Sequence, residues 1–290
     1  MSDGDDKLAM HDAAWHDLQY NNRRRVPEFA QYFERWRHQS ALARAQLRCH
    51  LDVPFIAGEA VALDVFPAAR PDAPILVFIH GGYWRSLDKA DHSFVAAPFV
   101  AAGAMVVVPN YSLCPAVTVD AIALQSAHAL AWVHRNAARY GADAGRLVVV
   151  GHSAGGHLAA MLLACDGQRL APDLPPRLVR RAVSISGLYD LAPLAATPSL
   201  QVDLRLTPDV ISRASPARYV APAGARLATV VGALESEEFL RQNRLIRERW
   251  GNAAVPVCEE LPGRNHFSVL DELVESQGSV HRRVVQWLTG

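Results

Sequence analysis

The sequence has few cysteines, no excess of charge of either sign and no long apolar run. Its 290 residues include four cysteines without C-x-x-C spacing, which disfavours a disulfide framework or a thiolate zinc site. Lysine plus arginine equals aspartate plus glutamate at 29 each, so nucleic acid or an acidic membrane is not expected as the main partner. No stretch reaches the roughly 18 apolar residues that a membrane span requires.

Two further signals are also lacking. The first residues, MSDGDDKLAMHDAAW, are acidic and polar, unlike a secretory signal peptide. The histidines are scattered, and His152 and His157 do not form an H-E-x-x-H arrangement, so no metal site is expected. We therefore expect a cytoplasmic protein with reduced thiols that acts on a small molecule. The sequence leaves the oligomeric state open and is compatible with a homodimer.

What the chain does contain is a regular alternation of apolar runs and helical patterns. Continuous apolar strands separated by helices predict an α/β fold, a mostly parallel sheet with helices on both faces, in which the first strand or two run antiparallel at one edge. The predicted strands are 61–66, 75–80, 104–110, 146–150, 182–186, 228–232 and 255–261, and the helical patterns lie near 90–102, 118–139, 155–166, 236–250 and 278–288.

Two segments fall outside this alternation. Residues 26–47 predict a helix with Pro27 in its first turn and an aromatic stripe on one face. Residues 190–225, rich in proline, alanine and leucine, predict an excursion over the carboxyl edge of the sheet, where ligands bind in such folds.

We expect one domain overall, with a helical segment at 1–48 and the α/β unit at 49–290. The helical segment and the excursion together predict a small cap. The basic run at 23–25 is interpreted as a solvated patch.

The most informative short stretch is Gly151-His152-Ser153-Ala154-Gly155, which matches G-x-S-x-G directly after a strand and before a helix. That context is typical of a nucleophile elbow, a strained turn that exposes a serine hydroxyl above the sheet. Glycines two residues to either side remove Cβ atoms that would collide with the strand and the helix. Ser153 is therefore the predicted nucleophile.

A serine nucleophile needs a histidine base, which follows it in the chain in this architecture. Two later histidines are candidates, His266 and His281. His281 lies in a predicted C-terminal helix and is interpreted as a surface residue. His266 lies in a loop after the strand at 255–261, and such loops often carry catalytic groups. His266 is the predicted base.

The orienting acid should follow the preceding strand, in the stretch ATVVGALESEEF. Glu235 comes first and lies in the predicted loop, so it is the favoured acid. Glu237 is the second choice, although acids at the start of a helix also suit the helix dipole. Asp271 is interpreted as the beginning of a helix.

Donors for an oxyanion are expected after the strand that ends at residue 80. The pair Gly81 and Gly82 would let backbone N–H groups approach a substrate oxygen, and the N–H of Ala154 would complete the oxyanion hole. His80 is expected to hold this loop through a hydrogen bond. The predicted substrate pocket comprises Tyr83, Trp84, Tyr111 and His152.

Several motifs together resemble one family. HGGYWRSLDKADHSF, PNYSLCP, GHSAGGHLAA, SGLYDLAPL, GALESEEFLRQN and NHFSVL, with the early YNNRRRVPEF, are similar to the kynurenine formamidase (arylformamidase) branch of the α/β hydrolases, near the hormone-sensitive-lipase-like esterases. The resemblance spans most of residues 20–270. It implies a cofactor-free serine hydrolase with Ser153 as nucleophile, Glu235 as acid, His266 as base and the glycine pair in the oxyanion loop.

The resemblance has informative departures. Glu235 stands where these formamidases usually carry aspartate, which weakens the inference that the substrate is formylkynurenine. The glycine pair lacks the third glycine of HGGG esterases, which favours the formamidase branch, and PNYSLCP departs from the esterase-like Y-R-L-A-P.

The expected activity is hydrolysis of an N-formyl aryl amide such as N-formylkynurenine, a reaction of tryptophan breakdown. A carboxylesterase or catabolic amidase for small or aromatic substrates is the alternative, because such triads cleave both classes. A non-catalytic binding protein on the same fold is a minor alternative.

Overall fold

The structure, a computed structural model, describes residues 11–290, and the first ten residues of the predicted 1–48 segment lie outside them. Eight strands form one sheet in the order β1-β2-β4-β3-β5-β6-β7-β8. Strands β3 to β8 pair in parallel, whereas β1 pairs with β2 and β2 with β4 in antiparallel fashion. The α/β class and the antiparallel edge are therefore confirmed.

From residue 73 onward, successive strands along the chain are separated by helices. The strands are β1 (His50–Pro54), β2 (Ala62–Phe66), β3 (Ala73–Ile79), β4 (Met105–Pro109), β5 (Ala142–His152), β6 (Arg181–Ile185), β7 (Arg226–Gly232) and β8 (Val257–Leu261). The α-helices are α1 (Ala13–Tyr20), α2 (Asn22–Arg25), α3 (Phe29–Gln46), α4 (Ala96–Ala101), α5 (Val119–Asn136), α6 (Ala154–Ala164), α7 (Gly167–Leu170), α8 (Ala192–Ala195), α9 (Pro198–Leu204), α10 (Pro208–Ala214), α11 (Glu237–Ala254), α12 (Asp271–Val274) and α13 (Ser279–Thr289). Short 3-10 turns occupy Lys89–Asp91, Ser93–Val95, Ala137–Tyr140, Pro216–Arg218 and Ser268–Leu270.

Each face of the sheet carries its own hydrophobic core. All seven residues of β3 are buried, and because successive side chains point to opposite faces, Ile75 and Val77 join one core while Leu76 and Phe78 join the other. The first core includes side chains of α5, α6 and α11, and the second includes those of α4 and α13. Burial on both faces explains why the central strands are continuous apolar runs rather than alternating ones.

Some predictions at the chain's start and end differ from the structure. The helix predicted over 26–47 begins at Phe29, and Pro27 lies in the turn before it rather than in its first turn. Helices α1 and α2 and strand β1 were not predicted, because their short, largely exposed stretches show no clear apolar period. His281 is buried and stacks on Phe99, so its interpretation as a surface residue is wrong.

The carboxyl ends of β3, β5, β6, β7 and β8 meet along one edge of the sheet. The 190–225 excursion passes over this edge as α8, α9 and α10, and the first helices of the chain lie beside it, with α1 contacting α8, α9 and α11. None of the helices between residues 11 and 290 has the length and hydropathy needed to span a bilayer.

Candidate active site

The turn between β5 and α6 places Ser153 at the sheet edge. Its backbone has φ 56° and ψ −117°, a left-handed conformation that is costly for a residue with a side chain. A Cβ on Gly151 would overlap the carbonyl of Gly155, and a Cβ on Gly155 would overlap the carbonyl of Ile79. The G-x-S-x-G spacing is thus a steric requirement of this turn, as the sequence predicted.

A row of hydrogen bonds connects three of the predicted site residues. The Ser153 hydroxyl lies 3.2 Å from His266 Nε2, and His266 Nδ1 lies 2.6 Å from Glu235 Oε2. All three residues are at most 6% exposed. The carboxylate can only accept, so Nδ1 carries the proton and Nε2 is left to accept from the serine. This is the arrangement that draws a proton from a serine hydroxyl.

The other acidic candidates lie away from this row. Glu237 is exposed at the start of α11, where Ser236 is the N-cap. Glu238 forms an ion pair with Arg241 and accepts the Tyr20 hydroxyl. Asp271 begins α12, as expected.

The second oxygen of Glu235 has partners of its own. Glu235 Oε1 accepts the Ser186 hydroxyl at 2.5 Å and the Gly232 backbone N–H at 2.8 Å. Ser186 follows β6 and has φ 51°, so its backbone also takes a strained conformation at the sheet edge. Two donors on one oxygen fix the longer glutamate side chain and direct the other oxygen toward His266. Sequence reasoning missed Ser186, although its position directly after a buried strand offered a signal.

His152 supports the hydrogen-bonded row through a bond to the backbone of His266. Its Nε2 donates to the carbonyl of His266 at 2.8 Å, and the two rings lie 4.9 Å apart. Burial, and secondarily the neighbouring His266, lower the pKa of His152 well below its ordinary value. His152 therefore remains neutral and helps to hold the loop of His266, while one side of its ring faces the cavity described below.

The loop after β3 brings backbone close to Ser153. A Cβ on Gly81 would lie 3.0 Å from the carbonyl oxygen of His152 and 3.1 Å from the Cβ of Ser153. Gly82 has φ 110°, which glycine adopts without strain. Ala154 is the first residue of α6, so its N–H has no intrahelical acceptor and is available at the helix N-terminus. The backbone of Gly81 thus lies close to Ser153, and the N–H of Ala154 follows it directly in the chain.

Two predicted pocket residues pack against the inner side of this loop and do not line the cavity described below. Trp84 is fully buried and packs edge-on against His157. Tyr111 stacks on His80 and donates its hydroxyl toward the carbonyls of His80 and Gly81. Both differ from the prediction because their rings fill the space under the loop. His80 itself contacts the Gly81 carbonyl through Nδ1 at 2.8 Å, the supporting role that was expected.

A cavity of about 360 Å³ opens over the Ser153 hydroxyl. His152, Ser153 and His266 form its floor, and Gly82 and Tyr83 form one wall. The loop after β3 continues that wall through Arg85, Ser86 and Leu87, and Phe267 also lines the cavity. The other lining residues belong to the N-terminal helices and to α9 of the excursion: Tyr20, Asn21, Asn22, Arg23, Phe33, Trp36, Ser199, Leu200 and Asp203. Its volume falls in the range of small-molecule sites.

Polar contacts join the N-terminal helices and α9 to each other and to the loop after β3. The Tyr83 hydroxyl donates to the carbonyl of Tyr20 at 2.7 Å, and the Ser199 hydroxyl donates to Asp17 at 2.6 Å. Arg85 donates to Asp203 at 2.6 Å. Across residues 11–290, no group of three or more potential metal ligands converges, here or elsewhere.

Comparisons with known proteins agree with this geometry. The BD-FAE family model matches residues 63–233. Kynurenine formamidase of Danio rerio is 33% identical over 273 residues, which cover 89% of this chain and 90% of the relative. This chain belongs to the kynurenine formamidase branch of the α/β hydrolases. It is a hydrolase enzyme, as its formamidase and esterase relatives indicate.

Solved structures share the fold of this formamidase-branch hydrolase. A protein of Silicibacter sp. tm1040, to which a thioesterase activity has been attributed, superposes with a TM-score of 0.80 at 29% identity, covering 94% of this chain and 98% of that one. A hyperthermophilic esterase from Pyrobaculum calidifontis superposes with a TM-score of 0.68 at 20% identity, covering 90% of each chain. The second likeness concerns the fold alone.

Proposed function

We propose that Ser153, His266 and Glu235 form a catalytic triad that hydrolyses an N-formyl aryl amide such as N-formylkynurenine. The observation that carries the proposal is the hydrogen-bonded row of these three side chains, which ends at a hydroxyl under a small-molecule cavity. The substrate class is taken from the kynurenine formamidase relatives, with which the chain aligns over most of its length.

The first half of the proposed reaction forms an acyl-enzyme. Ser153 Oγ attacks the formyl carbon while His266 Nε2 takes the hydroxyl proton, and Glu235 stabilises the resulting imidazolium. The negative charge moves to the formyl oxygen, where the N–H groups of Gly81, Gly82 and Ala154 would donate to it. His266 then gives its proton to the aryl amine as the C–N bond breaks.

The second half releases formate. Water attacks the formyl ester of Ser153, and His266 Nε2 accepts a proton from that water. The same backbone donors hold the second oxyanion. When the ester bond breaks, the proton returns to Ser153 Oγ and the triad regains its starting state. The reaction therefore consumes one water and yields formate and an aryl amine, with no cofactor.

Steady-state kinetics on N-formylkynurenine test this proposal, with p-nitrophenyl acetate in parallel. We expect a higher kcat/KM for the formamide, and we expect Ser153→Ala to lower kcat by about 10⁴-fold or more on both substrates. A large preference for the ester in the wild-type enzyme would contradict the formamide substrate. Labelling by a fluorophosphonate that persists in Ser153→Ala would contradict the assignment of the nucleophile.

A carboxylesterase or amidase for small or aromatic substrates is the second candidate. The observation that favours it is the Silicibacter neighbour, which covers nearly the whole chain and to which a thioesterase activity has been attributed. Glu235 in place of the expected aspartate also fits a relative with a changed substrate. Rapid cleavage of an aryl ester series with slow deformylation would select this candidate.

We also propose that the N-terminal helices and the 190–225 excursion act as a small cap, although the whole chain forms one domain. This is supported by the cavity walls, which they supply from Tyr20, Trp36 and Leu200. Deletion of residues 1–28 should then reduce kcat/KM by a larger factor than it reduces the folding equilibrium constant of the remaining chain.

A further inference from the structure

The charged side chains that line the cavity are not balanced. Arg23, Arg85 and Asp203 all contribute to its walls. Arg85 is already paired, because its guanidinium donates to Asp203 Oδ2 at 2.6 Å and to the carbonyl of Ser199 at 2.7 Å. No salt bridge within residues 11–290 includes Arg23. One arginine that lines the same cavity as the candidate nucleophile is thus left without a carboxylate partner.

The guanidinium of Arg23 is nevertheless held in place. Its carbon lies 5.4 Å from the ring centroids of both Phe29 and Phe33, which is cation–π distance. The two ring centroids are 5.6 Å apart, so both rings contact the guanidinium from the same side. A planar guanidinium binds carboxylates through its N–H groups. Phe33 also lines the cavity, so its contact with Arg23 lies at the cavity wall.

The electrostatic surroundings of Arg23 favour an anion. Partial burial, and secondarily the nearby Arg85, lower the pKa of Arg23 from its usual value. Arginine stays protonated despite such a shift, so the site keeps a positive charge that lacks compensation. A carboxylate placed there would offset the repulsion between the two guanidinium groups.

We propose that Arg23 binds the carboxylate of the substrate, so that the cavity selects acyl aryl compounds whose leaving group carries a carboxylate. This inference rests on the proposed function and deepens it. N-formylkynurenine has this chemistry, since its aryl ring carries an α-amino acid side chain that ends in a carboxylate. Ser153 would then act on one end of the molecule while Arg23 fixes the other.

The kinetic test compares N-formylkynurenine with 2′-formamidoacetophenone, which keeps the aryl ketone and the formamide but lacks the amino acid end. Arg23→Gln should lower kcat/KM for N-formylkynurenine by about 10- to 100-fold, mainly through KM, because a hydrogen bond to a charged group is lost. The neutral compound should change by less than about threefold. Arg24→Gln is the matched control, since Arg24 is on the same helix but does not line the cavity.

Two kinetic outcomes would overturn the inference. An equal loss on both compounds would mean that Arg23 only supports the fold of the cavity wall. No loss on either compound would mean that the carboxylate lies elsewhere. Arg23→Lys should give an intermediate KM for N-formylkynurenine, because the charge remains but the planar fork does not.

A binding experiment keeps the inference separate from the proposed reaction. Calorimetric titration with L-kynurenine and with 2′-aminoacetophenone needs no turnover. We expect wild type and Arg24→Gln to bind kynurenine more tightly than the neutral amine, and Arg23→Gln to lose that difference. If neither formamide is cleaved but this difference is found, the carboxylate-binding subsite at Arg23 is supported and the proposed reaction is contradicted. If kynurenine is bound no better than the neutral amine by wild type, the subsite is overturned.

Discussion

Two regions of the molecule surround the cavity, and they are built differently. The sheet edge, defined by Ser153, Ser186, Glu235 and His266, consists of buried side chains in the turns and loops that follow parallel strands, and these side chains are joined by hydrogen bonds. The roof, defined by residues 13–36 and 192–214, packs on the rest of the molecule through buried side chains such as Tyr20, Trp36 and Leu200. It adds solvent-accessible polar contacts such as Arg85–Asp203, whose side chains are 28% and 36% exposed.

This difference separates chemistry from selectivity. Buried hydrogen bonds in a region of low dielectric are rigid and costly to break, whereas exposed ion pairs contribute little and are screened by salt. The sheet edge can therefore retain one geometry for proton transfer while the roof changes which molecules fit above it. The comparison predicts large effects on kcat from sheet-edge substitutions and modest effects on KM from roof substitutions.

The largest effect should come from Glu235→Gln. The glutamine oxygen can still accept from Ser186 and Gly232, which turns its NH₂ group toward His266 Nδ1. Two donors cannot face each other, so the imidazole would take the tautomer that presents N–H to Ser153. We expect kcat to fall by about 10³- to 10⁴-fold on the best substrate, as measured at pH 7.5.

Glu237→Gln provides the control for this change, because Glu237 is exposed two residues away. It should keep at least half of the wild-type kcat. A loss of less than tenfold in Glu235→Gln would show that the imidazole does not depend on this carboxylate. The predicted contrast between the sheet edge and the roof would then fail.

The same contrast explains which features could be predicted from sequence. Ser153, Glu235 and His266 were predictable because each lies next to a strand with a clear apolar pattern, and because the elbow needs glycines at fixed positions. The parallel sheet followed from the same strands. Their meeting at one sheet edge is a consequence of parallel strand direction and needs no long-range information.

Other features depend on packing that no local pattern expresses. Trp84 and Tyr111 follow strands as the site residues do, yet their rings turn under the loop toward His157 and His80. Arg23 belongs to a polar run, interpreted as a solvated patch, and its position at the cavity depends on contacts with Phe29 and Phe33. The position of such a residue at the cavity was harder to predict because other lining residues, such as Ser153 and Leu200, are distant in the chain.

An effect of intermediate size is expected from lowering the pH. It should act on the stability of the fold through a histidine that joins the two regions. His157 in α6 is fully buried and donates Nε2–H to the carbonyl of Ala214 in the roof at 2.6 Å. Burial lowers its pKa from 6.5 to about 4. Between these values the unfolded chain binds a proton that the folded chain does not, so stability falls as pH decreases from 6.5 to 4.

His157→Gln should remove this dependence. The free energy of unfolding, measured with urea from pH 6.5 to 4.5, should become less steep by up to about 1.4 kcal/mol per pH unit. The variant itself is expected to be less stable at pH 7, so the slope is the quantity to compare. His38→Gln, at an exposed position, should leave the slope unchanged. An unchanged slope in His157→Gln would mean that acid destabilises the chain through other groups.

The smallest effect should come from the roof, in Asp17→Ala. Asp17 accepts from the Ser199 hydroxyl at 2.6 Å and from its N–H at 3.1 Å, and thereby links the two parts of the roof. Because this contact is exposed, its loss should lower the free energy of unfolding by less than about 1 kcal/mol. We expect KM to rise about two- to threefold with kcat unchanged, since a looser roof binds substrate and transition state equally less well.

Glu34→Ala, an exposed change on α3, should leave both constants at their wild-type values and serves as the control. A tenfold fall in kcat in Asp17→Ala would contradict the separation between the two regions. It would mean that the contact between α1 and α9 helps to position Ser153 or His266, and that the roof takes part in the chemistry as well as in selecting the substrate.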